Sequence, residues 1–323
     1  MTEGMRRIGI PRALLYHKRA ALWGAFFSTL GVEMVVSPPT NRAIIESGCS
    51  VSVDETCLSI KVALGHVAWL ADRSETVLCP RYVSMKRGEL ECSKLWGIYD
   101  VARNSVPGVD IVGYSVDGSK ETHRRTREPG ELYRLARRLG APPSRAALAT
   151  ARAISAHRQA ASERVRAQEA LRDRPSDRPR VLVAGHAYNL YDESIGLPII
   201  TELKTLGCEV VDSEGVDHAL AARLAKRLSP QLYWTNSRQL LGAVEHWREH
   251  VDGIIFLVTF PCGPDSLVTE LATRRIKGVP MVTLIIDEHS GETGLRTRLE
   301  SFVDILHMRR GDSVAGGNPG AVA

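Results

Sequence analysis

No apolar run in these 323 residues reaches the roughly 18 needed to span a bilayer, and no signal-peptide h-region follows Met1. The expectation is a cytoplasmic protein with no membrane partner. A large excess of one charge is also missing. Forty-two Lys and Arg stand against 37 Asp and Glu, a net charge of +5. That is too small and too dispersed to predict a nucleic-acid partner, but it suits an anionic small molecule or an acidic partner. Six cysteines are too few for a disulfide scaffold in a chain of this length. In the cytosol they would be reduced thiols, open to metal binding or chemistry. Three signatures are absent: a Gly-x-x-x-x-Gly-Lys-Ser/Thr loop, a Gly-x-Gly-x-x-Gly turn after a strand, and a Gly-x-Ser-x-Gly nucleophile elbow. No site for hydrolysing ATP is recognisable in the chain itself.

What is present reads as an ordinary globular composition, 44% hydrophobic and 24% charged, of a length that suits two domains. Strand-like runs at Arg6–Ile10, Glu33–Val36, Thr76–Leu78 and Val109–Tyr114 alternate with helical patterns. Leu22, Phe26 and Leu30 share one helical face ended by Gly31, and Asp54 to Leu70 forms a second helix. From Glu128 to Arg178 strand signals vanish and Ala and Arg dominate, predicting two helices broken near Gly140-Ala-Pro-Pro-Ser144. Their arginines read as a solvated face. Alternation resumes with strands at Arg180–Gly185, Cys208–Val211, Gly253–Phe260 and Met281–Ile286. Helices are expected around Ile199–Leu206, from Cys262 to Ile276 and at Thr293–Leu306, with a disordered tail from 309.

Thr29–Ser37 and Thr205–Ser213 match at six of nine positions, 176 residues apart, and the same offset aligns Gly9 with Gly185. The predicted fold is therefore α/β, with two doubly wound, mostly parallel-sheet domains related by a weak internal repeat. The domains expected are 1–127 and 179–308, with a helical insert and linker at 128–178 and the tail at 309–323. In open sheets of this kind, ligands bind beyond the carboxyl ends of the strands.

Several residues fall at such ends. Asp54 as a helix cap would put Cys57 at the third helical position, where dipole and amides favour a thiolate. Cys57 also shares a face with Ile60, Leu64 and Val67, which allows an inert buried thiol instead. Cys262 directly follows a strand and precedes a helix, a good ligand position. Cys79 ends a strand before Pro80, and Cys92 lies in a polar loop. Cys208 reads as core and Cys49 as ambiguous. His186, Glu288 and His289 are expected at the same rim, suited to acid–base work, or with Ser290 merely capping the next helix. Lys61 and His66 on the Cys57 helix read as solvated or hydrogen-bonded. The wide cysteine spacings are unlike ferredoxins or zinc knuckles but fit a site assembled between two domains.

Three longer stretches carry a resemblance: Asp54-Glu-Thr-Cys-Leu-Ser-Ile-Lys-Val-Ala-Leu-Gly-His-Val67, Phe260-Pro-Cys-Gly-Pro-Asp-Ser-Leu-Val268 and Ile286-Asp-Glu-His-Ser-Gly-Glu-Thr-Gly-Leu295. Gly185-His-Ala-Tyr, Tyr233 to Gly242 and Pro80 to Lys94 agree with it. From Ile8 to Leu306 the chain resembles the acyl-CoA dehydratase activase-related (CoA-substrate-specific enzyme activase-like) family. That family is related to iron–sulfur subunits of 2-hydroxyacyl-CoA dehydratases and to double-cubane cluster reductases. The resemblance implies an oxygen-sensitive, anaerobic iron–sulfur protein with a [4Fe-4S] or larger cluster, held by Cys57, Cys92 and Cys262 with Cys79 as a fourth candidate ligand. Three ligands would leave an iron open to substrate; four would favour pure electron transfer. Arg81, Lys86 and Lys94 would add positive charge around it. The partners implied are a separate ATP-hydrolysing activase, a second copy in a homodimer, and a CoA thioester or small reducible substrate. The activity would be that of a dehydratase or reductase component. The alternatives are a non-catalytic electron carrier or scaffold, a structural zinc protein, and a plain ligand-binding module with incidental cysteines.

Overall fold

Residues 7–119 and 126–311 are described here from a computed structural model. The first unit contains β1 (Arg7–Ile10), α1 (Tyr16–Leu30), β2 (Glu33–Val36), α2 (Arg42–Ser50), α3 (Leu58–Ala71), β3 (Thr76–Leu78), β4 (Arg81–Ser84), α4 (Ser93–Ser105), β5 (Ile111–Val112) and β6 (Ser115–Asp117). Two helices follow, α5 (Glu128–Arg138) and α6 (Pro143–Arg172). The second unit contains β7 (Arg180–Ala184), α7 (Ala187–Leu190), α8 (Leu197–Thr205), β8 (Glu209–Asp212), α9 (His218–Leu228), α10 (Thr235–Trp247), β9 (Gly253–Thr259), α11 (Gly263–Arg275), β10 (Met281–Ile286) and α12 (Glu292–Arg310).

Each unit holds a four-stranded parallel sheet. The orders are β2-β1-β3-β5 and β10-β9-β7-β8. Read from its other edge, the second is β8-β7-β9-β10, the same path as the first. The segments matched in sequence thus occupy equivalent places: β1 pairs with β2 in register Ile8–Met34, and β7 with β8 in register Leu182–Val211. In both sheets the chain reverses its winding beside the first strand, which is where α/β folds open a crevice.

Of the expected strand Val109–Tyr114 only Ile111–Val112 forms a strand, β5, and β6 begins beyond it at Ser115. β5 pairs with β3, while β6 pairs with β4 in a separate two-stranded sheet. Pro80 has no amide to donate at the junction of β3 and β4, so the ladder breaks there. Pairing resumes beyond it, the amide of Arg81 donating to the Tyr114 carbonyl at 2.9 Å. Seven elements gave no clear sequence signal: α2, β4, α4, β6, α7, α9 and α10. The last helix runs on to Arg310, past the point where a tail was expected, and 312–323 lie outside the described residues.

Two features join the units. Helix α3 buries 11 of its 14 residues, so it is enclosed on all sides rather than amphipathic. One hydrophobic core contains Leu58, Leu64 and Val67 of α3 with Val181, Ile199, Ile255 and Leu257 of the second unit. Each such side chain removed from water contributes about 1.5–3 kcal/mol. Helix α6, about 45 Å long at 1.5 Å per residue, buries only Ala146, Ala149 and Ala153 completely. Those alanines join the core around Phe26 and Phe27 of α1. Its far end reaches the second unit, where Gln168 accepts from the Asp212 amide at 2.9 Å. Most of its arginines are exposed, as the composition suggested.

Candidate functional site

Cys57, Cys92 and Cys262 line one pocket between the units. Each is the residue that caps a helix at its N-terminus: Cys57 caps α3, Cys92 caps α4 and Cys262 caps α11. Three helix starts, each bearing partial positive charge, therefore converge on three half-buried thiols. Backbone bonds fix this meeting. The Leu58 amide donates to the Phe260 carbonyl at 3.0 Å, tying the start of α3 to the loop before Cys262. On the Cys92 side, the Leu90 amide donates to the Tyr233 carbonyl and the Thr235 amide to the Leu90 carbonyl, both at 2.9 Å. Beneath Cys57, the Ser59 hydroxyl donates to Asn189 Oδ1 and stands 2.8 Å from Thr259 Oγ1.

The helix under Cys57 starts later than expected. Asp54 does not cap it; Cys57 does, with extended backbone angles. The expectation that the helix start favours a thiolate is reversed by desolvation. Burial pushes the Cys57 thiol up, against the pull of the Ile60 amide and the Lys94 ammonium. Cys262 is pushed up further, by burial and then by Asp265. Lys94 lines the pocket and donates to the Glu55 carbonyl at 2.8 Å. Arg81 lies instead near Asp100, at 3.9 Å, and Lys86 lines a different cavity.

The wall opposite is polar and buried. His186, at the end of β7, stands 2.7 Å from Asp265 Oδ1 in the first turn of α11. Burial pulls the imidazole pKa down, but Asp265 outweighs it and the net direction is up. The phenol of Tyr188 is driven well above its usual range by burial, then by Asp265, Cys262, Cys57 and Cys92 in turn. Glu91 is pushed up to about 7, chiefly by burial, and accepts from Asn236 Nδ2 at 2.8 Å. Asp265 and Tyr188 were not singled out from sequence. The signal for Asp265 was its place three residues after Cys262, at the acidic first turn of a helix.

The other candidates lie elsewhere. Cys79 is fully buried and lines an apolar cavity with Leu14 and Leu95, residues that also wall the thiol pocket. Its thiol is raised to about 12 by desolvation alone. Cys208 is core, as expected. Cys49 lies near Lys61 and Glu288. Lys61 is a buried ion-pair partner of Glu288 at 2.5 Å, not a solvated lysine. Glu288 is thereby held below the usual carboxylate range. Ser290 bonds back to Asp287 at 2.8 Å, and Gly291 caps α12. His66 is buried, 3.0 Å from the Thr40 hydroxyl, which donates to Asp192. Among the described residues, no three His, Cys, Asp or Glu side chains are grouped to hold a single metal ion. No described helix is long and apolar enough to cross a membrane.

Fold and site together define a two-unit, doubly wound α/β protein with a thiol-lined pocket between the units. The chain belongs to the family described as the CoA enzyme activase uncharacterised domain (DUF2229), whose model matches residues 7–216. That span contains Cys57 and Cys92 and stops short of Cys262. No curated protein matches the chain. Two solved structures are similar at low identity. One is the Pseudomonas aeruginosa binding protein FpvC in complex with Mn2+, at 15% identity and a TM-score of 0.28, covering 94% of this chain and 99% of that one. The other is a putative phosphosugar isomerase from Bacillus subtilis, at 11% identity and a TM-score of 0.26, covering 98% of this chain and 91% of that one.

Proposed function

We propose that this chain is the iron–sulfur component of a CoA-directed dehydratase or reductase system, with Cys57, Cys92 and Cys262 as the cluster ligands and a separate ATP-hydrolysing activase as its electron donor. The observation that carries this reading is the convergence of three helix-capping thiols from two units on one pocket. Thiolates select iron–sulfur clusters or zinc. A tetrahedral zinc ion draws its sulfurs to about 3.8 Å from one another, and a cluster, bound through separate irons, tolerates a wider spread. When bound, the cluster would supply one-electron chemistry. The helix starts offset part of its negative charge, and Lys94 adds a cation beside Cys57. Because burial holds Cys57 and Cys262 protonated, loading releases protons and weakens as pH falls.

The pocket has a volume of about 30 Å3, room for a water or two. A cluster is larger, so loading requires the walls to part. Those walls belong to both units, which makes their relative position responsive to the cluster. The Asp265–His186 pair and Tyr188 would fix the orientation of the α11 start during that movement.

The test is anaerobic purification with iron, acid-labile sulfide and zinc measured together. Iron with sulfide and a broad brown absorption band is expected. Cys57→Ser, Cys92→Ser and Cys262→Ser should each reduce the iron content, and Cys208→Ser should not. Zinc without sulfide, or iron content indifferent to all three substitutions, would sink the proposal.

A further inference from the structure

A second cavity, of about 590 Å3, opens between α1, α6 and the start of α10. Its size lies within the range of small-molecule sites. Among the described residues, six Lys and Arg side chains line it, against two carboxylates, Glu91 and Glu128. Two of these cations are paired: Lys18 with Glu214 at 2.8 Å, and Arg19 with Glu128 at 3.5 Å. The other four, Lys86, Arg87, Arg127 and Arg158, are exposed and have no ion-pair partner among the described residues.

The deeper wall has donors to spare. Arg19 is 6% exposed and its Nε–H has no hydrogen-bond partner among the described residues; the Nδ1 of His218, also buried, has none on another described residue. Both side chains line the cavity. Two histidines report the local potential. His157 is lowered to about 4 by burial and then by Arg19, Lys18, Arg164 and Arg158. His218 is lowered by burial and then Lys18, with Lys86 adding to it. Tyr82, Val116 and Ile154 supply apolar wall for an organic body. Glu91 and Asn236 line both this cavity and the thiol pocket.

We infer that this cavity binds a small polyanion, a metabolite bearing two or more phosphate or carboxylate groups, with one end placed against the Glu91–Asn236 pair that partitions it from the three cysteines. The unpaired cations at the mouth would attract the charge, and the buried Arg19 Nε–H would receive it at the floor. An extended acidic peptide or nucleic-acid backbone does not suit a cavity of this volume that ends in a buried floor. The inference stands on the cavity and its charges and does not require the cluster.

Calorimetric titration of the full chain with pyrophosphate, citrate and, as a neutral control, glycerol tests it. Saturable one-to-one binding of pyrophosphate, citrate or both is expected, with none for glycerol. Preference for pyrophosphate assigns phosphoryl groups, preference for citrate assigns carboxylates, and equal binding assigns charge alone. The double variant Arg127→Gln/Arg158→Gln should weaken binding at least about tenfold. Arg274→Gln/Arg296→Gln, on remote helix surfaces, should leave it unchanged. The triple Cys57→Ser/Cys92→Ser/Cys262→Ser variant should bind as well as the parent even if it holds no iron. Absence of saturable binding to either anion, or binding that the Arg127/Arg158 variant leaves intact, would overturn the inference.

Discussion

Replacing Gly65 by alanine would place a methyl group where α2 already has backbone. A Cβ on Gly65 would stand 2.0 Å from the Ile44 carbonyl oxygen, and one on Gly48 would stand 1.8 Å from that of Lys61. Close carbon–oxygen contacts normally begin near about 3.3 Å, so the helices would have to separate by more than 1 Å. Alanine by itself gains about 1 kcal/mol over glycine inside a helix. Overpacking typically costs about 1–3 kcal/mol. Here the obstacle is a carbonyl on a second helix, which cannot rotate aside, so the upper end applies. The net expectation is a destabilisation of about 2 kcal/mol, or a fall in Tm of roughly 3–6 °C. Because Cys57 caps the displaced helix, iron content should fall with it if the proposed cluster is present. Urea denaturation followed by far-ultraviolet circular dichroism measures the effect. Gly24→Ala is the control: it lies inside α1 with nothing within 4 Å of a Cβ, and should be neutral or stabilising by up to about 1 kcal/mol. If Gly65→Ala were as stable as the parent while Gly24→Ala behaved as expected, the close crossing of α2 and α3 would be refuted.

Other outcomes follow from buried charges. His66 is held at about 3, first by burial, below its ordinary 6.5. Between those values the unfolded chain binds a proton that the folded chain refuses, so stability is lost as pH falls through that window. His66→Gln should reduce the slope of stability against pH between 4.5 and 6 by about 1.4 kcal/mol per pH unit, as read from denaturation midpoints. Arg180 is buried and bonds Glu209 at 2.5 Å and the carbonyls of Arg172, Arg174 and His250. Arg180→Met should cost about 3–5 kcal/mol by stranding these acceptors, measured by urea denaturation. His186→Phe should destabilise by about 1–3 kcal/mol, because Asp265 keeps its burial and loses its hydrogen-bond partner. If that variant were as stable as the parent at pH 7, the contact between His186 and Asp265 would contribute nothing to the fold.

Some of this was legible along the chain. β7 and β9 are buried along their whole length, so they read as continuous apolar runs. The break between α5 and α6 announced itself through Gly140 and the two prolines after it. By contrast, β4 is four residues long and exists through its pairing with β6, across a gap that Pro80 imposes. Helix α4 went unread: Leu95, Ile98 and Ala102 do fall at helical spacing, but the helix starts at the end of the polar stretch Lys86–Lys94 and its cap is a cysteine, not Ser, Thr, Asp or Asn. The supposed cap at Asp54 failed for the complementary reason. A good capping residue was present, but the bond from Leu58 to Phe260 fixed the start of α3 three residues later.

The sequence by itself determined the alternation of strand and helix, the repeat of one α/β unit and the strand-end position of Cys262, because these follow from local periodicity and from which residues cap or break an element; the order of the strands came from their pairing. The tertiary structure alone decided which thiols meet. The resemblance put Cys92 among the ligands and left Cys79 as a fourth candidate; in the structure Cys79 lines a separate cavity with Leu14 and Leu95, while Cys92 shares a pocket with Cys57 and Cys262. That choice depends on how two sheets pack around α3, and contacts between residues far apart in the chain leave no periodic trace in it.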